Sequence, residues 1–427
     1  MNRITKLNKL QEEWVDLACK AHDEGVNKVT IMAATGSGKS FVMYKYLYKI
    51  KHLIDAVRPK VFIFSEIDAG TAGSLMEHEA LKFLTNTGKN PMIDFDITFC
   101  TYQSMPDKDR DIDIYDEVDK ALSAIFSKNI IDSPCKYGLG LTGTVENIST
   151  VFLGKVDREL HGNIRQSDKF TKDGIITDFI NKGQLMQIII PCVSVYTLEQ
   201  GVSDGILSPF KIVRVEHTLD NVEQYVQKWK KSTVKTTEVA AYLDWKNHMQ
   251  QSFIQGRSAA GAATGRKMAA FLYEAKSKTR LARRIVRRLS EKNKKIIIFG
   301  ERIEILKQIT DNVAEKDNTQ ELIDKFNKGE INVIATAKKL ERRVTLEGIT
   351  DALFISYSSS SASFLQRLGR VVRYSEGKTA MVYVIVTRDT LEEKWYDKMR
   401  TIKDEKGISK HKIQEYDCIQ STVDRQY

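Results

Sequence analysis

The stretch Ala33-Ala34-Thr35-Gly36-Ser37-Gly38-Lys39-Ser40 decides the fold of this sequence. It follows an apolar run at residues 29–32 and precedes a helix-compatible stretch at residues 41–50, a strand–loop–helix pattern. The two glycines let backbone N–H groups wrap a phosphate, and the helix N-terminus adds partial positive charge. Lys39 can reach the β- and γ-phosphates, and the Ser40 hydroxyl can ligate Mg2+. The stretch is a Walker A loop with Ala33 in place of the first glycine. It predicts ATP and Mg2+ as ligands, held by Thr35, Gly36, Ser37, Gly38, Lys39 and Ser40.

Short apolar runs alternate with longer amphipathic stretches on both sides of this loop, a pattern typical of buried parallel strands joined by helices. The alternation occurs twice, with a less regular section between the two series. Gly and Pro interrupt it at residues 205–209, so the sequence predicts an α/β fold of two tandem units, residues 1–207 and 208–427, the second with a C-terminal helical extension. The predicted strands lie at residues 29–32, 61–64, 97–100, 112–115, 296–299, 333–335, 352–355 and 380–386.

Composition and charge limit the class of protein. The chain has 427 residues, of which 42% are hydrophobic and 29% charged, as in globular proteins of two or three domains. A formal charge of +10 and a pI near 9.1 favour a polyanionic partner. The five cysteines are scattered and predict no zinc or iron–sulfur site, and no segment predicts a signal peptide or a membrane span. We therefore expect a cytoplasmic protein that has no membrane partner.

Two acids follow the fourth apolar run in Ile112-Asp113-Ile114-Tyr115-Asp116-Glu117-Val118-Asp119. At the carboxyl end of a parallel strand they can face the Walker A loop. Asp116 is expected to hold Mg2+ through its water shell, and Glu117 to orient and deprotonate the attacking water. The segment predicts a Walker B motif.

These motifs resemble those of superfamily 2 helicases. Asp116-Glu117-Val118-Asp119 has the D-E-x-D form, and Thr142-Gly143-Thr144 is similar to motif III. Thr101-Tyr102-Gln103 resembles the T-Y-Q segment of type III restriction motors and phage branch-migration helicases, which implies that these three residues contact the nucleic-acid backbone. Gln11 matches the glutamine that in this family recognises the adenine edge, here interpreted as opening a helix. The resemblance implies two RecA-like domains with parallel sheets and an ATP site in the cleft between them.

The second half of the chain contains Gln366-Arg367-Leu368-Gly369-Arg370-Val371-Val372-Arg373, which resembles motif VI, Q-R-x-G-R-x-x-R. The resemblance implies that Arg370 and Arg373 approach the γ-phosphate, with Arg373 as the arginine finger and Gln366 in the same catalytic group. The spacing of the two arginines predicts that they share one helix face.

Three other segments leave alternatives open. Residues 335–345 resemble a degenerate motif V in which Arg343 and Thr345 replace the usual Gly and Asp. Residues 256–265 are rich in Gly and Ala and fit a mobile loop, a DNA-facing hairpin or a closely packed helix. Residues 276–295 predict a helix with an apolar and a basic face, whose basic face is either solvated or in contact with nucleic acid.

Taken with the resemblance, these motifs predict an ATP-dependent DNA helicase or translocase, acting as a monomer on forked, branched or single-stranded DNA. The resemblance begins near residue 8, which is similar to the arrangement in compact motors. We therefore expect a phage-encoded motor that works in the host cytoplasm. Two alternatives use the same motifs: an RNA-dependent ATPase, and the motor subunit of a restriction complex whose nuclease lies on another chain. A P-loop phosphotransferase that binds no nucleic acid is a third alternative, but it leaves motif VI unexplained.

Overall fold

The computed structural model describes residues 2–65, 88–104, 109–122, 126–143, 170–171, 174–175, 186–187, 189–222, 225–229, 232–315, 317–337, 346–358, 361–403 and 409–412. The chain divides into two compact units, whose main parts are Met1–Leu207 (unit 1) and Ser208–Thr401 (unit 2).

Unit 1 is built on a six-stranded sheet with the order β3-β2-β4-β5-β1-β8, in which every neighbouring pair is parallel. Its strands are β1 (Lys28–Ala33), β2 (Lys60–Ser65), β3 (Asp96–Thr101), β4 (Ile112–Asp116), β5 (Tyr137–Thr142) and β8 (Cys192–Tyr196), with a small antiparallel pair, β6 (Phe170–Thr171) and β7 (Gly174–Ile175). Its helices are α1 (Arg3–Asp23), α2 (Lys39–Ile50), α3 (Pro91–Asp94), α4 (Val118–Ala121), α5 (Phe126–Asp132) and α6 (Leu198–Ser203).

Local sequence explains where the helices of unit 1 begin. The Asn2 side chain accepts from the backbone N–H of Thr5 and caps α1. Thr197 and Gln200 form a capping box at the start of α6. Short 3-10 turns at Lys51–Leu53 and Tyr102–Ser104 follow α2 and β3.

Unit 2 repeats the architecture with a second six-stranded parallel sheet, in the order β13-β14-β12-β15-β16-β9. Its strands are β9 (Phe210–His217), β12 (Ile296–Phe299), β13 (Val313–Ala314), β14 (Val333–Thr336), β15 (Asp351–Phe354) and β16 (Ala380–Thr387), with a two-stranded pair formed by β10 (Tyr225–Trp229) and β11 (Ser232–Thr236). A last two-stranded pair, β17 (Thr401–Lys403) and β18 (Ser409–Lys412), falls mainly in Ile402–His411, which belongs to unit 1. Its helices are α7 (Glu238–Ile254), α8 (Ser258–Glu274), α9 (Lys276–Ser290), α10 (Ile303–Leu306), α11 (Thr319–Lys328), α12 (Ser361–Val371) and α13 (Leu391–Arg400).

The two parallel sheets confirm the predicted fold class of two tandem RecA-like α/β domains. Each predicted strand lies within an observed one, except that β15 begins and ends one residue earlier than residues 352–355. The prediction works because fully buried strands, such as the four residues of β12, must be apolar on both faces. Beyond Lys412 the C-terminal extension lies outside the described residues.

The Gly- and Ala-rich segment is a closely packed helix, the third of the predicted alternatives. It forms the start of α8, which packs against α7. A Cβ at Gly261 would lie 2.8 Å from the Phe253 ring of α7, closer than real Cβ contacts. Glycine at this position therefore allows the two helices to approach each other.

None of the helices in the described part of the chain is long and apolar enough to cross a membrane.

Candidate active site

The Walker A loop lies at the carboxyl end of β1 and leads into α2. Gly36 and Gly38 adopt the left-handed region, with φ of 94° and 80°, which is favourable only for glycine. Ser37 closes the turn, since its hydroxyl donates to the Ala34 carbonyl at 2.7 Å. Within the described residues, no protein group accepts from the backbone N–H groups of Gly36, Gly38 and Lys39. The loop therefore offers several converging donors to an anion.

Lys39 and Gly143 bring the end of β5 against this loop. The Lys39 Nζ donates to the Ala33 carbonyl at 3.2 Å, a weak contact that a phosphate oxygen can replace. A Cβ at Gly143 would lie 2.9 Å from the Thr35 Oγ1 and 3.5 Å from the Lys39 Nζ. The glycine of the predicted motif III therefore leaves room for the Thr35 hydroxyl, whereas the distance to the lysine is an ordinary contact. Its last residue, Thr144, lies outside the described residues.

The predicted metal-holding and water-activating acids end the neighbouring strand. Asp116 is the last residue of β4, and Glu117 follows in the left-handed region with φ 56° and ψ 50°. A non-glycine residue in this conformation is strained, a feature that clusters at functional sites. Burial raises the pKa of Glu117 to about 7, opposed mainly by the Lys39 ammonium and assisted by Asp119 and Asp116. Glu117 therefore changes charge near neutral pH, as a general base requires.

The last acid of the D-E-x-D motif makes a structural contact with the strand that ends in motif III. Asp119 is buried at the start of α4, and its Oδ1 accepts from the Thr142 hydroxyl at 2.8 Å. The bond joins the start of α4, just after β4, to the end of β5 and fixes the acids relative to Gly143. The motif pattern itself was the signal that could have identified this pair.

Gln11 lies against the Walker A loop, although it stands in the middle of α1 and does not open a helix as predicted. The side chain is 1% exposed, and its Nε2 donates to the carbonyls of Ser37 at 3.2 Å and Gly38 at 3.4 Å. Its Oε1 is buried and has no hydrogen-bond partner among the described residues. Such an orphaned acceptor fits a ligand that brings an N–H donor, as the amino group of adenine does.

The T-Y-Q segment divides into buried and exposed residues. Tyr102 is 2% exposed, its ring stacks near Phe64, and its hydroxyl donates to the Asp116 carbonyl at 2.8 Å. The side chain of Tyr102 is thus committed to the core of unit 1 and is not available for the predicted nucleic-acid contact. Thr101, which ends β3, is half-buried, and Gln103 is exposed. These two remain the candidates for that contact.

The motif VI residues lie in and after α12 of unit 2. Gln366 and Arg370 are buried on the helix, which ends at Val371. Arg373 therefore lies beyond the helix, and the prediction that it shares a helix face with Arg370 is wrong. Val371 ends the helix and Val372 lies in the turn that follows, and β-branched residues of this kind do not favour continuation of a helix.

Two side chains hold the loop that carries Arg373. The Ser208 hydroxyl donates to the Arg373 carbonyl at 3.2 Å, and the Ser208 N–H donates to the Val372 carbonyl at 2.8 Å. The Lys378 Nζ donates to the carbonyls of Val371 and Arg373, the second at 3.2 Å. Burial and the nearby Arg373 lower the pKa of Lys378 to about 8. The backbone of Arg373 is thus fixed from two directions.

The resemblance to motif VI implies no role for Arg367, and the structure gives it one. The guanidinium is 2% exposed, pairs with the Glu301 carboxylate at 2.9 Å and donates to the Ala337 carbonyl at 3.2 Å. It also lies 5.8 Å from the centre of the Phe299 ring. Arg367 therefore holds α12 to the loops that follow β12 and β14.

The structure brings together Gln11, Lys39, Asp116 and Glu117 around the Walker A loop, and this set fits a nucleoside triphosphate with Mg2+. Gln366, Arg370 and Arg373 lie on unit 2. The predicted motif V falls mainly on residues 338–345, outside the described residues.

Two family models match the chain. One, described as the res subunit of type III restriction enzymes, matches residues 4–147, and the other, described as the helicase conserved C-terminal domain, matches residues 277–375. Among curated proteins, a DNA 3'-5' translocase XPB2 from Sulfurisphaera tokodaii is 30% identical over 109 residues, covering 24% of this chain. The alignment covers 25% of that translocase, so the chain spans only a quarter of its curated relative.

Solved structures of restriction enzymes match the chain at low identity. A fragment assigned to the HsdR subunit of a type I restriction enzyme from Vibrio vulnificus superposes with a TM-score of 0.52 at 16% identity, over 94% of this chain and 67% of the fragment. The type ISP restriction-modification enzyme LlaBIII bound to DNA gives a TM-score of 0.48 at 14% identity, over 89% of this chain and 28% of that enzyme. The first likeness supports the fold.

Proposed function

The chain belongs to the superfamily 2 helicases and translocases, and from this membership we propose that it hydrolyses ATP to move along DNA and unwinds or remodels forked or branched DNA. One observation carries the proposal. Lys39, Asp116 and Glu117 meet at the carboxyl ends of β1 and β4, and the strained backbone and raised pKa of Glu117 suit a group that activates water. A protein that only binds nucleotide needs no such base.

The proposed reaction is attack of water on the γ-phosphorus of ATP. The water gives its proton to the Glu117 carboxylate, and the bond from the γ-phosphorus to the oxygen of the β-phosphate breaks, which leaves ADP and phosphate. Lys39 would hold the β- and γ-phosphates, and Ser40 and Asp116 would hold Mg2+, which supplies positive charge to the phosphates. Gln11 would accept a hydrogen bond from the adenine amino group. Gln366, Arg370 and Arg373 of unit 2 would complete the site when the two units close on ATP, with Arg373 as the arginine finger.

DNA is the proposed partner because the first family model describes restriction-enzyme subunits and the curated relative is named a DNA translocase. Thr101 and Gln103 would contact the backbone of the strand, so binding would depend little on base sequence. The chain would act as a monomer in the cytoplasm. The match of residues 4–147 to a restriction subunit also favours a second candidate, a motor that serves a nuclease on another chain.

The test pairs two measurements on Glu117→Gln, which keeps the size of the side chain but removes the base. ATP hydrolysis, measured with forked DNA, single-stranded DNA and single-stranded RNA, should fall by about 10²-fold or more, the usual contribution of a positioned base. ATP-dependent retention on the fork should persist. Glu13→Gln, the same change at an exposed position of α1, should alter neither. Normal hydrolysis by Glu117→Gln would refute the assignment, and stronger stimulation by RNA than by DNA would favour an RNA-dependent ATPase.

A further inference from the structure

Most of the net charge of the protein lies in one short segment. Residues 276–295, which include α9, contain ten basic residues and one acidic residue, a net charge of +9. The whole chain carries +10, so all other residues together contribute +1. The net positive charge of the protein therefore comes mainly from α9 and the five residues that follow it, 291–295.

Part of this charge is neutralised inside unit 2. The buried Lys278 ammonium pairs with the buried Glu392 carboxylate. Arg280 pairs with Asp220 at 2.7 Å. These contacts lie near the N-terminal end of α9 and explain two of the basic residues by folding alone.

The exposed arginines in the second half of α9 are not neutralised by buried carboxylates of the described residues. Arg284 and Arg288 are exposed, one helical turn apart, and no carboxylate within the described residues pairs with them. Among the described residues, Arg283 donates only to the Gln308 carbonyl, and Arg287 pairs with Glu291 of its own helix at 3.4 Å, where both groups are solvated. These four arginines, 283, 284, 287 and 288, define the basic face of α9.

Packing fixes the direction of this face. Ala282, Val286 and Leu289 are buried in the core of unit 2 on the other side of α9. The N-terminal end of α9 lies at the carboxyl edge of the sheet, since the Ser277 hydroxyl contacts the ring of His217 at the end of β9, at 2.8 Å. The basic face therefore points away from the sheet and extends along the flank of unit 2 for somewhat less than about two turns.

We propose that the basic face of α9 is a second nucleic-acid surface, which binds the phosphate backbone of duplex DNA independently of Thr101 and Gln103. Arginine forks match phosphate oxygens in pairs of hydrogen bonds. The face presents no exposed large apolar side chain, which a protein partner would ordinarily bury. Like charges one turn apart repel each other, and a polyanion relieves that repulsion. The proposal rests on the proposed function only in taking DNA as the polyanion.

The test compares two charge-reversal variants of the full chain that change net charge equally. R284E/R288E alters the basic face, and K6E/K9E alters two exposed lysines three positions apart on α1. Binding of a fluorescent blunt duplex is measured without nucleotide between about 50 and 200 mM salt. R284E/R288E should lower affinity about tenfold or more and reduce the log–log salt slope by about two, because each lost phosphate contact removes roughly 0.9. R284Q/R288Q should reduce the slope similarly, and K6E/K9E should change it little.

Three outcomes would overturn this proposal. If both charge-reversal variants weaken binding equally, the effect is one of net charge and not of the α9 face. If R284E/R288E binds duplex as tightly as the wild type, the face does not contact DNA. If R284E/R288E still binds duplex as the wild type does but no longer binds poly-glutamate, measured in the same way, the face binds an acidic protein partner. DNA-stimulated ATP hydrolysis by the wild type is recorded in parallel, since its absence would refute the proposed function, whereas either duplex result leaves that function standing.

Discussion

The raised pKa of Glu117 predicts that ATP hydrolysis depends strongly on pH around neutrality. Only the ionised carboxylate can accept the proton of water, so activity should rise as pH rises through the pKa of about 7. A single group with that pKa is ionised to about one tenth at pH 6 and about nine tenths at pH 8, so kcat/KM should increase about tenfold over this interval. At the ordinary carboxyl pKa the same interval would change the ionised fraction by only about 3%.

The assay is steady-state hydrolysis at limiting ATP, saturating Mg2+ and constant ionic strength, from about pH 5.5 to pH 8.5, because kcat/KM reports the free enzyme. The kcat profile should have its midpoint at lower pH, since Mg2+ held at Asp116, as proposed, would favour the charged carboxylate. Lys120→Met should shift the kcat/KM midpoint upward, because Lys120 lowers the pKa of Glu117. Lys136→Met, an exposed lysine that is not among the charges acting on Glu117, should not. A profile that stays flat between pH 6 and pH 8 in the wild type would refute the reasoning.

Two further predictions concern unit 2. Arg373→Ala should keep nucleotide binding but lose about 10³- to 10⁵-fold in the rate of ATP hydrolysis, as expected when an arginine finger is removed. Lys378→Met, which removes a donor to the Arg373 carbonyl, should lower kcat by a smaller factor and leave the Kd for ATP unchanged. Loss of ATP binding by either variant would contradict this assignment. Glu392→Gln should reduce the free energy of unfolding by roughly 3–5 kcal/mol, because it leaves the buried Lys278 unpaired. Urea denaturation measures this loss of stability. The double variant K278M/E392Q should recover much of the lost free energy, because no unpaired charge then remains. Equal stability of the wild type and Glu392→Gln would contradict the predicted cost of leaving Lys278 unpaired.

The parts of the structure that sequence predicts are those determined by local pattern. Strands buried on both faces must be apolar, and the Walker A loop needs glycines where φ is positive, so β1, its loop and α2 could be assigned from residues 29–50 alone. The acids of β4 could be placed near that loop because the carboxyl ends of parallel strands share one edge of the sheet.

The parts that sequence could not predict depend on contacts between distant residues. The pair Arg367–Glu301 joins residues 66 positions apart, and Lys278–Glu392 joins residues 114 apart. A basic residue that is buried and paired looks in sequence like one that is exposed, as Arg284 is. The end of α12 was predicted wrongly because Val371 and Val372 are apolar. They continue the sequence pattern of the helix after the helix itself has ended.

Tyr102 connects the segment with the predicted nucleic-acid contacts to the strand that carries the acids. The Tyr102 hydroxyl donates to the Asp116 carbonyl. This hydrogen bond joins the residue before the exposed Gln103 to the residue before Glu117. We expect that a DNA strand that displaced Gln103 would act on the backbone at Asp116 through this hydrogen bond. The left-handed conformation of Glu117 leaves that backbone little freedom to absorb the movement, because few alternatives are open to a non-glycine residue. Burial of Tyr102 thus removes it as a direct contact, and its hydroxyl instead connects the segment proposed to bind DNA to the end of the strand that carries the proposed metal-holding acid.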